Sequence, residues 1–348
     1  MKSKHSILTI CLILIYANLY GQISGKYAFP FLEQGISART VALGGNVAAI
    51  NDGDISLALL NPSLINSSMN NALSLSYVNY FADANYGMAQ YSRTFDKAGS
   101  YVASLQFMDY GSFNYADVYG NRTGSFSAAD YAFSLGWGRQ LNQQLSIGAT
   151  AKFLYSHYET YRSFGIAVDV AGTYISKSNW IVSLLASNIG TQLASYTGQT
   201  DPLPFDLQLA LSKRLEHVPF RVSLVIDHLE KWDLSFQDPA NPPGGFDPLS
   251  GDPIMLSGIS KFSNLLMRHF IIGGEFYLGK NLVLRAGYNY RRRRELSINQ
   301  RLGMVGFSWG FGIHISHFQI NFARSTYHLA GSPNYLTLTT SLDDFRKR

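Results

Sequence analysis

Apolar and polar residues alternate with a period of two along most of this chain. In IGGEFYLGKNLVLRAGYNY, residues 272–290, one face of a first strand carries Ile272, Gly274, Phe276 and Leu278. One face of a second carries Leu282, Leu284, Ala286, Tyr288 and Tyr290. The opposite faces hold Gly273, Glu275 and Tyr277, then Val283, Arg285, Gly287 and Asn289. A turn over 279–281 would pair Leu278 with Leu282 and therefore Glu275 with Arg285, a cross-strand charge pair. The theme repeats from NALSLSYVNYF at 71–81 to NYLTLTTSL near the end, predicting about 14 strands of roughly 10 residues.

The connections are also patterned. Those near 96–98, 141–143, 176–178, 215–218, 279–280 and 316–317 read as tight turns. Longer links at 111–124, 190–204, 230–267 and 292–305 fall between them. An even strand number with short and long ends alternating is the pattern of a closed transmembrane barrel, whose closure leaves no unpaired edge in hydrocarbon. Lipid would then cover Phe276, Leu282, Leu284 and Tyr288, and the lumen would receive Glu275 and Arg285.

Composition supports this. The 348 residues are 46% hydrophobic and 14% aromatic but only 15% charged. Mean hydropathy is nevertheless −0.01, because the apolar residues are interleaved. No interior run approaches the roughly 20 apolar residues of a membrane helix. At the N-terminus Lys2 and Lys4 precede the apolar ILTICLILIY, and Gly21 offers a small residue at a cleavage point, so 1–21 reads as a signal peptide. The one cysteine, Cys11, lies within that leader, which leaves the mature chain no thiolate ligand or disulfide. The net charge of +5 is local, with Arg291, Arg292, Arg293 and Arg294 and the terminal RKR as its main sources, and does not form a nucleic-acid-binding face.

Residues 22–68 do not read as barrel, which occupies 69–348. Their core, ISARTVALGGNVAAINDGDISLALLNPSLI at 36–65, mixes helix formers with a Gly pair and an Asn-Pro. Here the chain resembles the FadL-like outer-membrane barrels. The residues that carry the likeness are Ser37, Ala38, Arg39, Leu43, Gly44, Gly45, Asp52, Asn61 and Pro62. The spacing of this region and the ending YHLAGSPNYLTLTTSLDDF look most like the PorQ branch, a component of the Bacteroidetes type IX secretion system. The fold class expected is therefore an all-β outer-membrane barrel of about 14 antiparallel strands with a short N-terminal helical plug. In such relatives the N-terminal segment fills the lumen. Gly44 and Gly45 would let its backbone approach the wall, and Arg39 would pair with a lumen carboxylate such as Glu275 or Asp169.

The resemblance implies a non-enzymatic component of the type IX attachment complex, acting beside PorZ, PorU and PorV-like proteins through extracellular loops, chiefly 230–267. The alternative is a FadL-like transporter of hydrophobic small molecules, which would need a greasy lumen. The inward positions read instead as Ser, Thr, Gly, Lys, Asp, Glu and Arg, so anchoring is the expected role. Arg291 to Arg294 would emerge at the outer leaflet, where guanidinium groups suit lipopolysaccharide phosphates or an acidic partner. His314, Ser316, His317 and Asp343 read as a polar rim and not as a hydrolase triad. NDGD at 51–54 lacks the Glu that completes a calcium loop and reads as a turn. No cofactor, metal or nucleic acid is expected.

Overall fold

A computed structural model of the chain describes residues 27–81, 84–235, 246–247, 249–252, 254, 258–296, 303–327 and 331–345. The leader expected at 1–21, the Pro-rich 236–245 and the terminal RKR lie outside the described residues. The strands are β1 (Ala72–Asn79), β2 (Asn85–Phe95), β3 (Gly99–Ala116), β4 (Arg122–Gln140), β5 (Leu145–Tyr158), β6 (Tyr161–Ile175) and β7 (Trp180–Ala194). They continue as β8 (Asp206–Arg214), β9 (Phe220–Ile226), β10 (Phe270–Leu278), β11 (Leu282–Asn289), β12 (Phe307–Ile315), β13 (Phe318–Ser325) and β14 (Asn334–Ser341). Each pairs antiparallel with its sequence neighbours, and β1 pairs β14, so the sheet closes as a 14-stranded barrel.

Which side is wet follows from the side chains. Outward positions are apolar and exposed, among them Leu75, Phe133, Phe153, Leu184 and Leu336, whereas Ser74, Gln90, Ser134, Thr150 and Thr337 are buried inside. A water-soluble barrel would reverse this assignment, so the outer face is built for hydrocarbon. Phe95, Tyr174, Trp180 and Phe318 are exposed toward the tight-turn end, and Tyr161, Phe164, Phe307 and Trp309 toward the other, as interfacial aromatics do. These features make the protein an outer-membrane barrel.

The expected sorting of links holds at one end. Turns at 96–98, 279–281 and 316–317 are tight, and the register pairs Leu278 with Leu282 and Glu275 with Arg285. At the loop end it departs from expectation, because the link over 111–124 is mostly strand. β3 and β4 continue through it to a reversal at 117–121, with Phe113 stacked on Phe126 at 5.2 Å. β5 and β6 join through only 159–160, where Glu159 takes a left-handed φ of 57°. Loop polarity had suggested irregular structure there, but cross-strand aromatic pairs sustain the ladder. Longer links remain after β7, β9 and β11, the last two bearing helices α2 (Gly258–Met267) and α3 (Tyr290–Leu296).

On β11, Leu284 is 44% exposed while Val283 points inward. Leu284→Arg should cost about 2–4 kcal/mol of folding free energy, and Val283→Arg appreciably less. Heat-modified gel mobility of the refolded barrel, with denaturant titration, reads both. Equal damage would contradict the assignment of faces.

Candidate functional site

The lumen is filled by residues preceding β1. They form a short helix, α1 (Ala38–Ala42), followed by 3-10 turns at Ile55–Leu57, Pro62–Leu64 and Ser67–Met69. Asp54, Asn61 and Asn66 start these turns, each side chain accepting the N–H two residues on. Isolated elements this short do not persist in water, so the wall must hold them.

The wall supplies a charged row. The registers place Arg221 of β9, Glu275 of β10 and Arg285 of β11 side by side, and alternation turns all of them inward. The wall triad therefore carries a net charge of +1. From the plug, Arg39 reaches the row with Asp52 and Asp54, a triad of net −1. Arg39 Nε and Nη2 donate to the two oxygens of Glu275 at 2.9 and 3.0 Å. The same guanidinium binds Asp52 at 2.6 Å and Asp54 at 2.9 Å. Arg221 bridges Asp52 at 2.7 Å and Glu275 at 2.9 Å, and Arg285 meets Glu275 at 2.8 Å. Burial works to raise the Asp52 carboxyl, but Arg39 and Arg221 overcome it and hold the group well below the usual carboxylate range. The oxygens of 51–54 thus serve Arg39 and Asn66 and not an ion loop.

Around this cluster the plug lies against the wall backbone to backbone. Gly44 has φ +105°, and a Cβ on Gly287 would lie 2.1 Å from the Gly44 nitrogen. Neither position admits a side chain. A Cβ at Gly45 would strike Arg292 Nη2 at 2.5 Å. Ser37 Oγ donates to Ser56, the Ala38 N–H to Thr337 Oγ1 of β14, and Leu43 is buried in an apolar group with Val47, Ile50 and Leu57. Asn61 Nδ2 donates to the Ala48 carbonyl, and the Pro62 backbone rests where a Cβ on Gly148 would be 2.3 Å away. The motif residues therefore occupy one continuous plug-to-wall contact. Asp169 pairs with Lys152 at 2.7 Å and not with Arg39.

Toward the loop end a cavity of about 140 Å³ remains between plug and wall. Leu59, Leu60 and Ile271 line it together with Lys152, Asn188 and Asp206. It adjoins a seam in the ladder. β7 pairs β8 only as far as Ser187 with Asp206, while β7 continues to Ala194 paired with β6 alone. A register shift between Val168 and Val170 opens this stretch, and Asn188 adopts φ 57° with its N–H donated to Asp169 Oδ1 at 2.8 Å. Side chains close the gap. Asn188 Nδ2 donates to the Pro204 carbonyl at 2.8 Å, and the Asp201 N–H to Gln192 Oε1 at 2.9 Å.

The arginine run forms α3. Arg291 Nη2 binds Asp227 at 3.0 Å, Arg292 donates to Ser325 and lies 4.2 Å over Tyr327, and Arg293 donates to the Val305 carbonyl. Arg294 is exposed beside Tyr290. At the turn end, Ser316 forms the β12–β13 turn with φ 54°, Asp343 accepts from Asn71 at 2.7 Å, and His317 lies 3.9 Å from Asp344. These groups form a rim. Sequence reasoning missed Arg221 and Asp54, and the signal for Arg221 was its inward place in PFRVSLVIDHL.

No family model matches the sequence, and no curated protein does. Solved structures match in fold. The monoaromatic hydrocarbon channel CymD aligns over 90% of this chain and 99% of its own at 14% identity, with a TM-score of 0.52. The Pseudomonas putida toluene transporter TodX aligns over 88% of this chain and 96% of its own at 14% identity, with a TM-score of 0.50. At such identities the shared property is the fold, a closed antiparallel outer-membrane barrel.

Arg39→Met leaves Asp52 and Asp54 without their main partner and should cost about 3–5 kcal/mol. Limited proteolysis should then cut within residues 27–71 while the strands stay protected. Glu275→Gln alone should destabilise more than Glu275→Gln with Arg285→Gln, because the double change restores balance. Zero coupling in the cycle would mean the pair does not interact energetically. For pH, a depressed folded value means that the Asp52 contribution is complete above the unfolded value of about 3.9 and is lost as pH falls below it. Pepsin nicking of the plug, divided at each pH by the rate on an unstructured reference peptide, should therefore stay flat down to about pH 4 and rise below.

Proposed function

We propose that this barrel passes small molecules of mainly hydrophobic character across the outer membrane, through the cavity beside the β7–β8 seam. The observation that carries the proposal is the coincidence of the two. Ser187, Asn188, Pro204 and Asp206 form the seam and also line the cavity. Elsewhere among the described residues the wall is a continuous ladder that a solute cannot cross, whereas here the strand backbones do not pair and the gap is closed by side-chain bonds and by the 201–204 segment, whose Pro202 carbonyl accepts the Ala28 N–H at 2.9 Å. About 140 Å³ matches the size of cavity that takes one benzene-sized molecule. Leu32, Leu59, Leu60, Leu185 and Ile271 give it one apolar side while Lys152, Asp169, Asp206, Asp227 and Arg291 make the other charged, a lining that suits a small solute with an apolar body and a polar end. The fold neighbours named as hydrocarbon channels support the same reading.

A second reading is favoured by a different observation. Val118, Tyr119, Leu249 and Ile259 at the loop end are between 84 and 99% exposed, apolar side chains that a docking partner would cover. Under this reading the loops dock PorZ, PorU or PorV-like proteins of a type IX attachment complex, with exposed Arg294 of the arginine run free for lipopolysaccharide or an acidic partner. Pull-down from a native outer membrane would recover those proteins.

Transport is tested by closing the seam. Gln192→Cys with Asp201→Cys places two thiols where side chain and backbone already meet, in a chain whose other cysteine is in the leader. Cells bearing the reduced variant should take up labelled toluene or phenol faster than cells without the barrel, and oxidation should abolish the gain. Equal uptake in both states, with the cross-link verified by mass, would overturn the transport reading.

A further inference from the structure

The turn after β9 holds a set of groups that plug retention does not use and of which transport uses only Asp206. His228 Nδ1 lies 3.0 Å from Glu230 Oε1 and 3.7 Å from Asp206 Oδ1, the last residue being the first of β8. Donor atoms of the three all fall within 4.8 Å of one another. We infer that Asp206, His228 and Glu230 form a binding site for a divalent transition metal ion at the upper rim of the lumen cavity, with zinc the best fit. Nothing in this inference rests on the transport reading.

The spacing is that of ligands around one centre. Tetrahedral zinc with bonds near 2.0–2.1 Å sets its ligands about 3.3 Å apart, between the two distances observed. One imidazole nitrogen with carboxylate oxygens suits zinc or manganese, whereas calcium and magnesium take oxygen alone. Backbone groups hold the ligands in place. The His228 N–H donates to Asp206 Oδ1 at 2.7 Å, and the Leu207 N–H donates to Glu230 Oε2 at 2.9 Å, which leaves Oε1 facing the imidazole. The turn is bonded on both sides, Leu229 N–H to the Leu207 carbonyl at 2.9 Å and Asp227 N–H to the His269 carbonyl at 3.0 Å. His228 itself sits at φ 52°, a conformation costly for most side chains and kept here by those bonds.

A separate observation points to a cation. Asp227, next to His228 and lining the same cavity, is 2% exposed, and its Oδ1 has no hydrogen-bond partner among the described residues. Its other oxygen is held by Arg291 at 3.0 Å. Asp206, Asp227 and Glu230 bring three carboxylates to the Arg291 guanidinium and the His228 imidazole, a set that takes a divalent ion without leaving unbalanced positive charge. Binding takes the neutral imidazole through Nδ1, with its one proton on Nε2, and joins the 227–230 turn to the start of β8, beside the seam.

The experiment uses the full mature barrel in detergent, without a histidine tag, stripped with chelator and titrated with zinc chloride in a calorimeter. One zinc per barrel is expected, and X-ray absorption of the loaded protein should show a single imidazole among oxygen neighbours. His228→Asn, chosen because asparagine accepts a left-handed backbone, should weaken binding by about 100-fold or more, since loss of even supporting partners costs 10–100-fold. Glu230→Gln, with its exposed side chain, gives a second variant that does not burden folding. His217→Asn in the opposite turn should change nothing. Absence of binding by the folded wild type, a shell of oxygens only, or undiminished binding by either folded ligand variant would overturn the site.

Discussion

The structure depends on a charge complementarity divided between two parts of the chain. The barrel wall presents Arg221, Glu275 and Arg285 in one row, and the plug presents Arg39, Asp52 and Asp54 to it. Neither triad is neutral alone, and each carries the charge that the other lacks. Inside a closed barrel an unbalanced charge is expensive, so each part is stable only in the presence of the other. The arrangement selects a position as well as a partner. The Arg39 fork meets Glu275 through two parallel bonds, which fixes the plug in depth and rotation as a single point charge would not.

With the plug fixed, the rest of the lumen follows. Gly44 against Gly287 brings two backbones into contact, and the apolar group of Leu43, Val47, Ile50 and Leu57 fills the space beside them. What is left unfilled lies toward the loop end, where β7 outruns β8 and the wall depends on Asn188 and Gln192. The molecule is therefore rigid at its turn end and held by few bonds at its loop end. Openings of low free energy concentrate where backbone ladders are missing, which separates anchoring of the plug from access to the cavity.

Much of this was legible in the sequence, for a physical reason. Lipid imposes strict alternation on every strand, so Leu282, Leu284 and Tyr288 declare their face, and Glu275 and Arg285 follow by register. Arg39 was legible as a plug residue, but its partners were not, because alternation says which residues point inward and not which meet across the lumen. Asp169 and Glu275 were equivalent by pattern, and Lys152 at 2.7 Å removes the first from contention. The strand extensions over 111–124 were hidden by Gly, Asn and Ser, which read as loop until Phe113 and Phe126 are seen to pair. The Asp206, His228 and Glu230 group spans two strand ends, and no local spacing announces it.

The plug also ties together the two ends of the chain. Ala38 donates its N–H to Thr337, 299 residues later, and β1 must find β14 to close the ring. The segment that emerges first thus completes its bonds with the strand that emerges last. Because α1 packs against β11 to β14, seating the plug and closing the ring draw on the same strands. Ring closure, the step of greatest sequence separation, therefore shares its entropic cost with plug docking, since both bring the same two ends of the chain together.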